Sequence, residues 1–283
     1  MKEQPWGAMV KEDLEAGLAG HPDLELQFAD PEGDAEKQVR LLEALLAARV
    51  DALIVLPIDG ARVRPVLARY AAAGIPVISL DNDLEAPELY RALILADNRV
   101  FGRKMGEFFV EVSGGRVDLL ELRGIPATSA AQHRSEGFRE AIAASPGVRV
   151  VASVDCDWLY TRAREAVARL LPLHPEVEAV YAQNDEMARG ALDAAEAAGR
   201  AGRLLITGID ALRGEQGLQL VMQGRLGATL VNPSPGRPAS RAVLATLAGE
   251  PCLPRTLLQT SIIRSNERIR AWREQRPTPS PRP

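Results

Sequence analysis

Short apolar runs recur along the chain and alternate with amphipathic stretches. Each run is apolar nearly throughout, which is typical of a strand covered on both faces of a sheet. The intervals carry helical patterns, as in residues 34–50, where Val39, Leu42 and Leu46 fall on one face. This alternation predicts βαβ units on parallel sheets, and therefore an α/β fold. The predicted strands are Leu24–Phe28, Ala52–Leu56, Pro76–Leu80, Ala92–Leu95, Val117–Leu122, Val148–Val154, Val177–Tyr181, Leu204–Thr207 and Ala228–Val231.

The first predicted helix, from Trp6 to Leu18, has no strand before it. A doubly wound lobe normally begins with a strand that lies centrally in its sheet. The first strand is therefore missing from the predicted fold: either the true start lies upstream of Met1, or this lobe has lost a central strand. We expect the codons upstream of Met1 to encode a signal peptide and a strand of about six apolar residues. The residues from Met1 onwards contain no apolar signal-peptide core of their own.

Composition narrows the class of protein. At 283 residues the chain is long enough for one large domain or two lobes. Its net charge of −4 and scattered Lys and Arg residues give no basic face, so we expect no nucleic acid partner. No apolar run approaches the roughly 20 residues of a membrane helix. Cys156 and Cys252 match no paired motif and are expected to be free thiols.

Polar residues follow the predicted strands at the point where each strand ends. In open α/β sheets the ligand crevice lies outside these carboxyl ends. Asp, Asn and Arg form paired hydrogen bonds to neighbouring sugar hydroxyls, and a Trp ring can cover the apolar face of a pyranose. Taken singly, each Asp or Asn is more often a helix cap or a turn former. The candidates are Trp6, Asp81, Asn82, Asp83, Arg134, Trp158, Asn184, Asp210 and Asn232.

Other polar and aromatic residues receive structural interpretations. Asp97 and Asn98 are assigned to a helix start, because a helical pattern follows them at once. Trp272 is expected to pack the last helix. In "QNDEMA" we assign Asn184 to the ligand and expect Asp185 and Glu186 to cap the following helix.

Signals of catalysis are weak. His21, His133 and His174 have no partner at metal-binding spacing, and no nucleophile or phosphate-binding motif is present. Asp81, Asp83 and Asp210 could supply a glycosidase pair, but sugar binding explains the same positions without chemistry. We therefore expect no enzymatic activity, no cofactor and no metal.

Several blocks of sequence resemble the type I periplasmic sugar-binding proteins, the ribose- and galactofuranose-binding group. They occur in family order between about Gln4 and Thr260, and they are "DALIVLPIDG", "AGIPVISLDND", "ADNRVFGRKMGEF", "GIPATSAAQHRSEGFREAI", "HPEVEAVYAQNDEMARGAL" and "ITGIDA". The resemblance implies two α/β lobes joined by three crossover segments, which close on a ligand. It places residues 1–97 and 233–258 in one lobe and residues 98–232 and 259–275 in the other. Residues 276–283 form a proline-rich tail that is expected to be disordered.

The resemblance also assigns ligand residues. Asp81 matches the family's sugar-binding aspartate after its fourth strand, and Asn232 lies where a hinge glutamine is common. The remaining matches are Trp6, Arg134, Trp158, Asn184 and Asp210. Asn82 stands where the family usually has arginine, which counts against ribose and leaves another sugar or a polyol open. Gly7 follows Trp6, so one member of the usual aromatic pair is absent.

The resulting hypothesis is a non-catalytic receptor. It would bind a monosaccharide or polyol between its lobes and deliver it to an ABC permease or a chemosensor, as a periplasmic monomer. One alternative is the effector core of a lactose-repressor-type transcriptional regulator, but no basic segment or helix-turn-helix precedes Trp6. The other is a glycosidase or sugar isomerase, which turnover of a bound sugar would reveal.

Overall fold

The computed structural model describes residues 5–212 and 217–276 and divides the chain into two α/β units. The first unit comprises Met1–Asp97, Ile125–Gln132 and Pro233–Thr260, and the second comprises Asn98–Gly124, His133–Asn232 and Ser261–Pro283. The sequence-based division placed residues 125–132 in the second lobe, whereas contacts group them with the first unit.

The first unit contains a parallel sheet with the strand order β1-β2-β3-β9 among the described residues. Its elements are α1 (Pro5–Leu18), α2 (Ala35–Ala47), β1 (Leu53–Val55), α3 (Gly60–Ala72), β2 (Val77–Leu80), a 3-10 turn (Pro87–Leu89), β3 (Ala92–Ala96), α9 (Gly236–Leu247) and β9 (Arg255–Leu258).

Helices cover both faces of this sheet. On one face α2 and α3 contribute Leu42, Val63 and Tyr70 to a core that includes β1. On the other, α1 and α9 contribute Val10 and Val243 to a second core against β2 and β3. Strands β1 to β3 are apolar nearly throughout because both faces are covered.

The second unit contains a sheet with the order β10-β8-β7-β6-β4-β5, in which only β10 runs antiparallel to its neighbour in the described part of the chain. Its elements are α4 (Asn98–Ser113), β4 (Arg116–Arg123), α5 (Ser129–Ile142), β5 (Gly147–Asp155), α6 (Tyr160–Leu170), β6 (Ala179–Ala182), α7 (Asp185–Ala197), a 3-10 turn (Ala201–Arg203), β7 (Leu205–Asp210), α8 (Gly217–Met222), β8 (Ala228–Val231), β10 (Ile262–Arg264) and α10 (Asn266–Gln275). The first turn of α5 belongs to the segment grouped with the first unit.

Two apolar layers hold this sheet. Helices α6 and α7 pack on a core that includes Val167 and Met187. Elsewhere, Phe138 of α5 stacks on Tyr181 of β6, with ring centroids 4.5 Å apart. Trp272 of α10 is fully buried and donates to the Glu178 carbonyl at 2.9 Å, so its predicted packing role is confirmed.

The structure corrects the predicted elements in three places. Residues 24–28 pair with no strand in the described part of the chain, and Phe28 is 42% exposed. Strands β9 and β10 were not predicted. Arg276, assigned to the tail, forms an ion pair with Glu178 at 3.1 Å, while residues 277–283 lie outside the described residues.

Both cysteines are free thiols, as predicted. Burial, followed by the charges of Asp157 and Asp155, raises the pKa of Cys156 to about 12. No helix in residues 5–212 and 217–276 is long and apolar enough to cross a membrane.

Candidate functional site

Arg134 of α5 is held in one orientation in the second unit. It is 3% exposed, its Nε donates to Asn98 Oδ1 at 2.8 Å, and its Nη1 donates to the Gln183 carbonyl. Its guanidinium carbon lies 5.2 Å from the ring centroids of both Phe101 and Trp158. Among the described residues, Nη2 donates no hydrogen bond to protein. A guanidinium fixed in this way offers its remaining donors to a ligand in a set direction.

Trp158 lies just beyond the end of β5 in a backbone turn that few residues adopt. Asp157 and Trp158 both have positive φ values, 52° and 67°, in the left-handed region. The indole ring packs on Gly124, where a Cβ atom would overlap the ring. The Trp158 carbonyl accepts from Asn184 Nδ2 at 3.1 Å. Backbone conformation and packing therefore fix the ring beside Arg134.

Asn184 is the N-cap of α7, and this corrects the sequence-based assignment of the cap. Its Oδ1 accepts from Met187 N at 2.8 Å, while its Nδ2 donates to the Trp158 carbonyl. Asp185 and Glu186 do lie in the first turn, as predicted, but the capping bond belongs to Asn184. The predicted contact of Asn184 with a ligand stays a prediction.

Asp210 and Asn232 form a second pair, at the carboxyl ends of the neighbouring strands β7 and β8. Asn232 Nδ2 donates to Asp210 Oδ1 at 3.1 Å, and the two residues are 3% and 7% exposed respectively. Asp210 has a φ of 123°, so its backbone also adopts an uncommon conformation. The predicted residues of the second unit thus fall into two bonded groups, one around Arg134 and one around Asp210.

In the first unit, Asp81 follows β2 and is 8% exposed. Its N–H donates to the Ile94 carbonyl of β3 at 2.9 Å, and the Asn82 N–H donates to the Leu80 carbonyl at 2.6 Å. The second bond closes a three-residue γ-turn with Asp81 at its centre, where φ is 58°. The turn sets the direction of the Asp81 side chain at the end of the strand.

Asn82 makes three side-chain hydrogen bonds to protein. Its Nδ2 donates to the Pro57 carbonyl at 2.8 Å, and its Oδ1 accepts from Ser129 Oγ at 3.1 Å and from Ala130 N at 2.9 Å. The carboxamide oxygen therefore caps the start of α5. An arginine, which the resemblance implies at this position, has no acceptor and could not accept the bonds from Ser129 and Ala130.

Trp6 lies in the first turn of α1, partly buried against the core that α1 and α9 form with the sheet of the first unit. This packing explains the partial burial of the Trp6 ring without a ligand. Its predicted contact with a sugar stays a prediction.

Two positioning residues were missed by the sequence analysis. Asn98, interpreted as a helix start, does begin α4, but its carboxamide also holds Arg134. Gln183 accepts from Gly124 N at 3.0 Å and donates to Ser135 Oγ at 2.9 Å, which fixes the backbone that accepts from Arg134. Their position could have identified them, since each residue lies two or three positions after the end of a predicted strand.

Beneath this site Glu121 is fully buried and accepts from Ser135 Oγ at 2.7 Å, from Ser153 Oγ at 2.8 Å and from Arg139 Nη2 at 2.9 Å. A buried carboxylate with several donors stiffens the elements that it joins. Within residues 5–212 and 217–276, no group of three or more His, Cys, Asp or Glu side chains is arranged to hold a metal ion.

Residues 2–251 match the periplasmic binding protein domain family, so the chain belongs to that family. A D-ribose/D-allose-binding protein of Pseudomonas aeruginosa is 32% identical over 205 residues, covering 70% of this chain and 63% of that protein. A ribose import binding protein of Salmonella typhimurium is 34% identical over 205 residues, covering 72% and 68% respectively. The chain thus spans about two thirds of the length of these relatives.

Solved structures show the same fold. The fructose-binding periplasmic domain of a hybrid two-component system superposes with a TM-score of 0.88 at 28% identity, covering 95% of this chain and 90% of that one. The arabinose-binding component of an ABC transporter from Shewanella sp. ANA-3, bound to L-arabinofuranose, gives a TM-score of 0.86 at 27% identity, covering 97% and 92%. The predicted type I periplasmic binding protein fold is confirmed.

Proposed function

We propose that this chain is a non-catalytic receptor that binds a monosaccharide or a related polyol and delivers it to an ABC permease or a sensor. The observation that carries the proposal is Arg134, a buried guanidinium fixed by Asn98 and Gln183 beside the Trp158 ring. A planar donor next to an aromatic face suits a polyhydroxylated ring, which presents hydroxyl groups at its edge and C–H groups on its face.

Asp210 and Asn232 add a carboxylate and a carboxamide at neighbouring strand ends. A carboxylate accepts from two vicinal hydroxyls at once, which distinguishes a sugar from an apolar solute. Trp6, Asp81 and Asn82 of the first unit are proposed, from the family resemblance, to contact the same ligand.

The relatives guide the choice of ligands and partners. By name they bind ribose or allose, and solved neighbours bind fructose or arabinofuranose. Both an ABC transporter and a two-component sensor occur among them, so either partner fits this chain. We further propose an extracytoplasmic location and a monomeric state.

The test is a thermal-shift screen with D-ribose, D-allose, D-fructose, L-arabinose, D-fucose and myo-inositol. A ligand that binds only the native state raises the melting temperature in proportion to the logarithm of its concentration. We expect at least one sugar to raise it in the parent, and Arg134→Ala and Asp210→Ala to abolish the rise. Arg103→Ala is the matched control, because the Arg103 side chain is 50% exposed on α4 of the same unit.

Unchanged binding by either site variant would refute the site. Conversion of a bound sugar into product would refute the non-catalytic role.

A further inference from the structure

The last residue of β7 and the residue that follows it are non-glycine residues with positive φ. Asp210 has a φ of 123° and Ala211 a φ of 50°. Residues with side chains avoid this region, and such conformations persist only where surrounding contacts determine them. The side chain of Asp210 belongs to the proposed sugar site, so the contacts that hold this turn also hold a proposed ligand group.

The carboxyl group of Asp185, the first residue of α7, supplies these contacts. Its Oδ2 accepts from Leu212 N at 3.2 Å, and its Oδ1 accepts from Thr229 Oγ1 at 2.7 Å. Thr229 Oγ1 in turn accepts from Ala211 N at 3.2 Å. Asp185 therefore holds the two N–H groups that follow Asp210: it accepts directly from Leu212 N and is linked to Ala211 N through Thr229.

The structure leaves space for this carboxyl group at two glycines. A Cβ atom at Gly208 of β7 would overlap Asp185 Oδ1, and a Cβ atom at Gly217 of α8 would overlap both carboxyl oxygens. Asp185 is fully buried. A buried carboxyl group in a space lined by two glycines has a fixed position.

We propose that Asp185 is a positioning residue for the sugar site, which holds the Asp210–Leu212 turn so that the Asp210 carboxylate faces the ligand. This inference rests on the proposed function of Asp210. It separates the two acidic residues by role, since Asp210 would contact hydroxyl groups and Asp185 would contact only protein. Either protonation state of Asp185 can do so, because Oδ2 accepts from Leu212 N in both and a protonated Oδ1 can donate to Thr229.

The test compares Asp185→Ala with the conservative variant Asp185→Asn. Affinity is measured by calorimetry with the tightest-binding member of the six-compound panel, and amide hydrogen exchange is measured at Ala211 and Leu212. We expect Asp185→Ala to weaken binding at least tenfold and to speed exchange at both amides. Asp185→Asn keeps an acceptor for Leu212 N and is expected to stay within about threefold of the parent affinity.

The exchange measurement requires no sugar, so it separates this inference from the proposed function. If no sugar binds, the proposed function fails, while faster exchange at Ala211 and Leu212 in Asp185→Ala would still support the role of Asp185 in the turn. Unchanged exchange at both amides overturns the inference, as does parent-like affinity of Asp185→Ala.

Two further variants test the same inference if Asp185→Ala does not fold. Thr229→Val removes the hydroxyl that links Asp185 to Ala211 N, and it is expected to speed exchange at Ala211 and weaken binding. Gly208→Ala places a methyl group against Asp185 Oδ1 and is expected to weaken binding with Asp185 itself intact. Parent-like exchange and binding in both variants would overturn the inference.

Discussion

Asn98 Oδ1 accepts a hydrogen bond from Arg134 Nε at 2.8 Å, and each of the two residues is 3% exposed. The bond joins the first residue of α4 to the interior of α5. A buried guanidinium makes directional contacts to a ligand only if protein acceptors fix its plane. Asn98 Oδ1 and the Gln183 carbonyl are the acceptors of Arg134 among the described residues.

Replacement of Asn98 by alanine should therefore weaken sugar binding through Arg134. A buried donor left without its partner costs about 1–3 kcal/mol, and the Arg134 plane would no longer be fixed. We expect a loss of affinity of about tenfold, which corresponds to about 1.4 kcal/mol. Calorimetric titration with the sugar that binds the parent measures this change.

The controls separate orientation from general damage. Asn98→Asp retains an acceptor and should bind within a few-fold of the parent, whereas Arg103→Ala on the same helix should bind as the parent does. Equal affinities for Asn98→Ala and the parent would show that Asn98 does not position Arg134.

Asn82 gives a prediction about stability, because its carboxamide oxygen caps α5. Loss of a side-chain cap costs about 0.5–2 kcal/mol. Asn82→Ala and Asn82→Arg should both lower the free energy of unfolding, because neither side chain offers an acceptor to the start of α5. Asn82→Asp keeps the acceptor at the positive end of the helix and should stay near the parent. Urea unfolding measures the three differences, and a stable Asn82→Arg would contradict the capping role.

Local pattern predicts an element well where both faces of a strand are covered. Val77–Leu80 and Ala92–Ala96 are apolar apart from Ser79, and both were predicted from the sequence. Residues 24–28 alternate apolar and polar side chains, but they pair with no strand in the described part of the chain, because a strand also requires a neighbour for its backbone groups. Strand β9 was missed because its residues alternate between exposed and half-buried, without an apolar run.

The position of the candidate site was predictable, but the role of each atom was not. Parallel strands bring their carboxyl ends to one edge, so Asp210 and Asn232 could be placed together from sequence. The choice of Asn184 over Asp185 as the cap depends on which side chain fits beside Gly208 and Gly217, and this is a property of packing. The bond from Arg134 to Asn98 likewise joins residues that lie 36 positions apart.

Gly124 is predicted to control the position of the Trp158 ring. Gly124→Ala would introduce a Cβ atom that overlaps the ring, so the indole must move away from Arg134. We expect weaker sugar binding and a shift in tryptophan fluorescence, since the only other tryptophans are Trp6 and Trp272. Gly20→Ala is the matched control, because nothing lies within 4 Å of a Cβ atom there. Parent-like fluorescence and binding in Gly124→Ala would contradict the prediction.

Asp185 also gives the stability of the protein a specific dependence on pH. Burial, and then the charge of Asp210, raise the pKa of Asp185 well above its usual value, although the hydroxyl of Thr229 and the backbone N–H groups of Leu212 and Ala211 act in the opposite direction. The native state therefore holds this proton to a higher pH than the unfolded chain does, where the pKa is about 4. The stabilisation that this group contributes is complete below that value and is lost as pH rises through the raised pKa.

Asp185→Asn removes the titrating group and keeps the shape of the side chain. The free energy of unfolding of the variant minus that of the parent should therefore increase as pH rises from about 4 to 8, since only the parent loses stabilisation from this group over that range. Urea unfolding at pH 4.5, 6.0 and 7.5 measures the difference between the two proteins. Asp155→Asn, which removes a carboxylate with a 44% exposed side chain in the same unit, controls for the change in net charge. A constant difference between Asp185→Asn and the parent across this range would contradict the prediction. It would show that Asp185 is ionised in the native state throughout the range, so that the buried carboxylate lowers the free energy of unfolding at every pH.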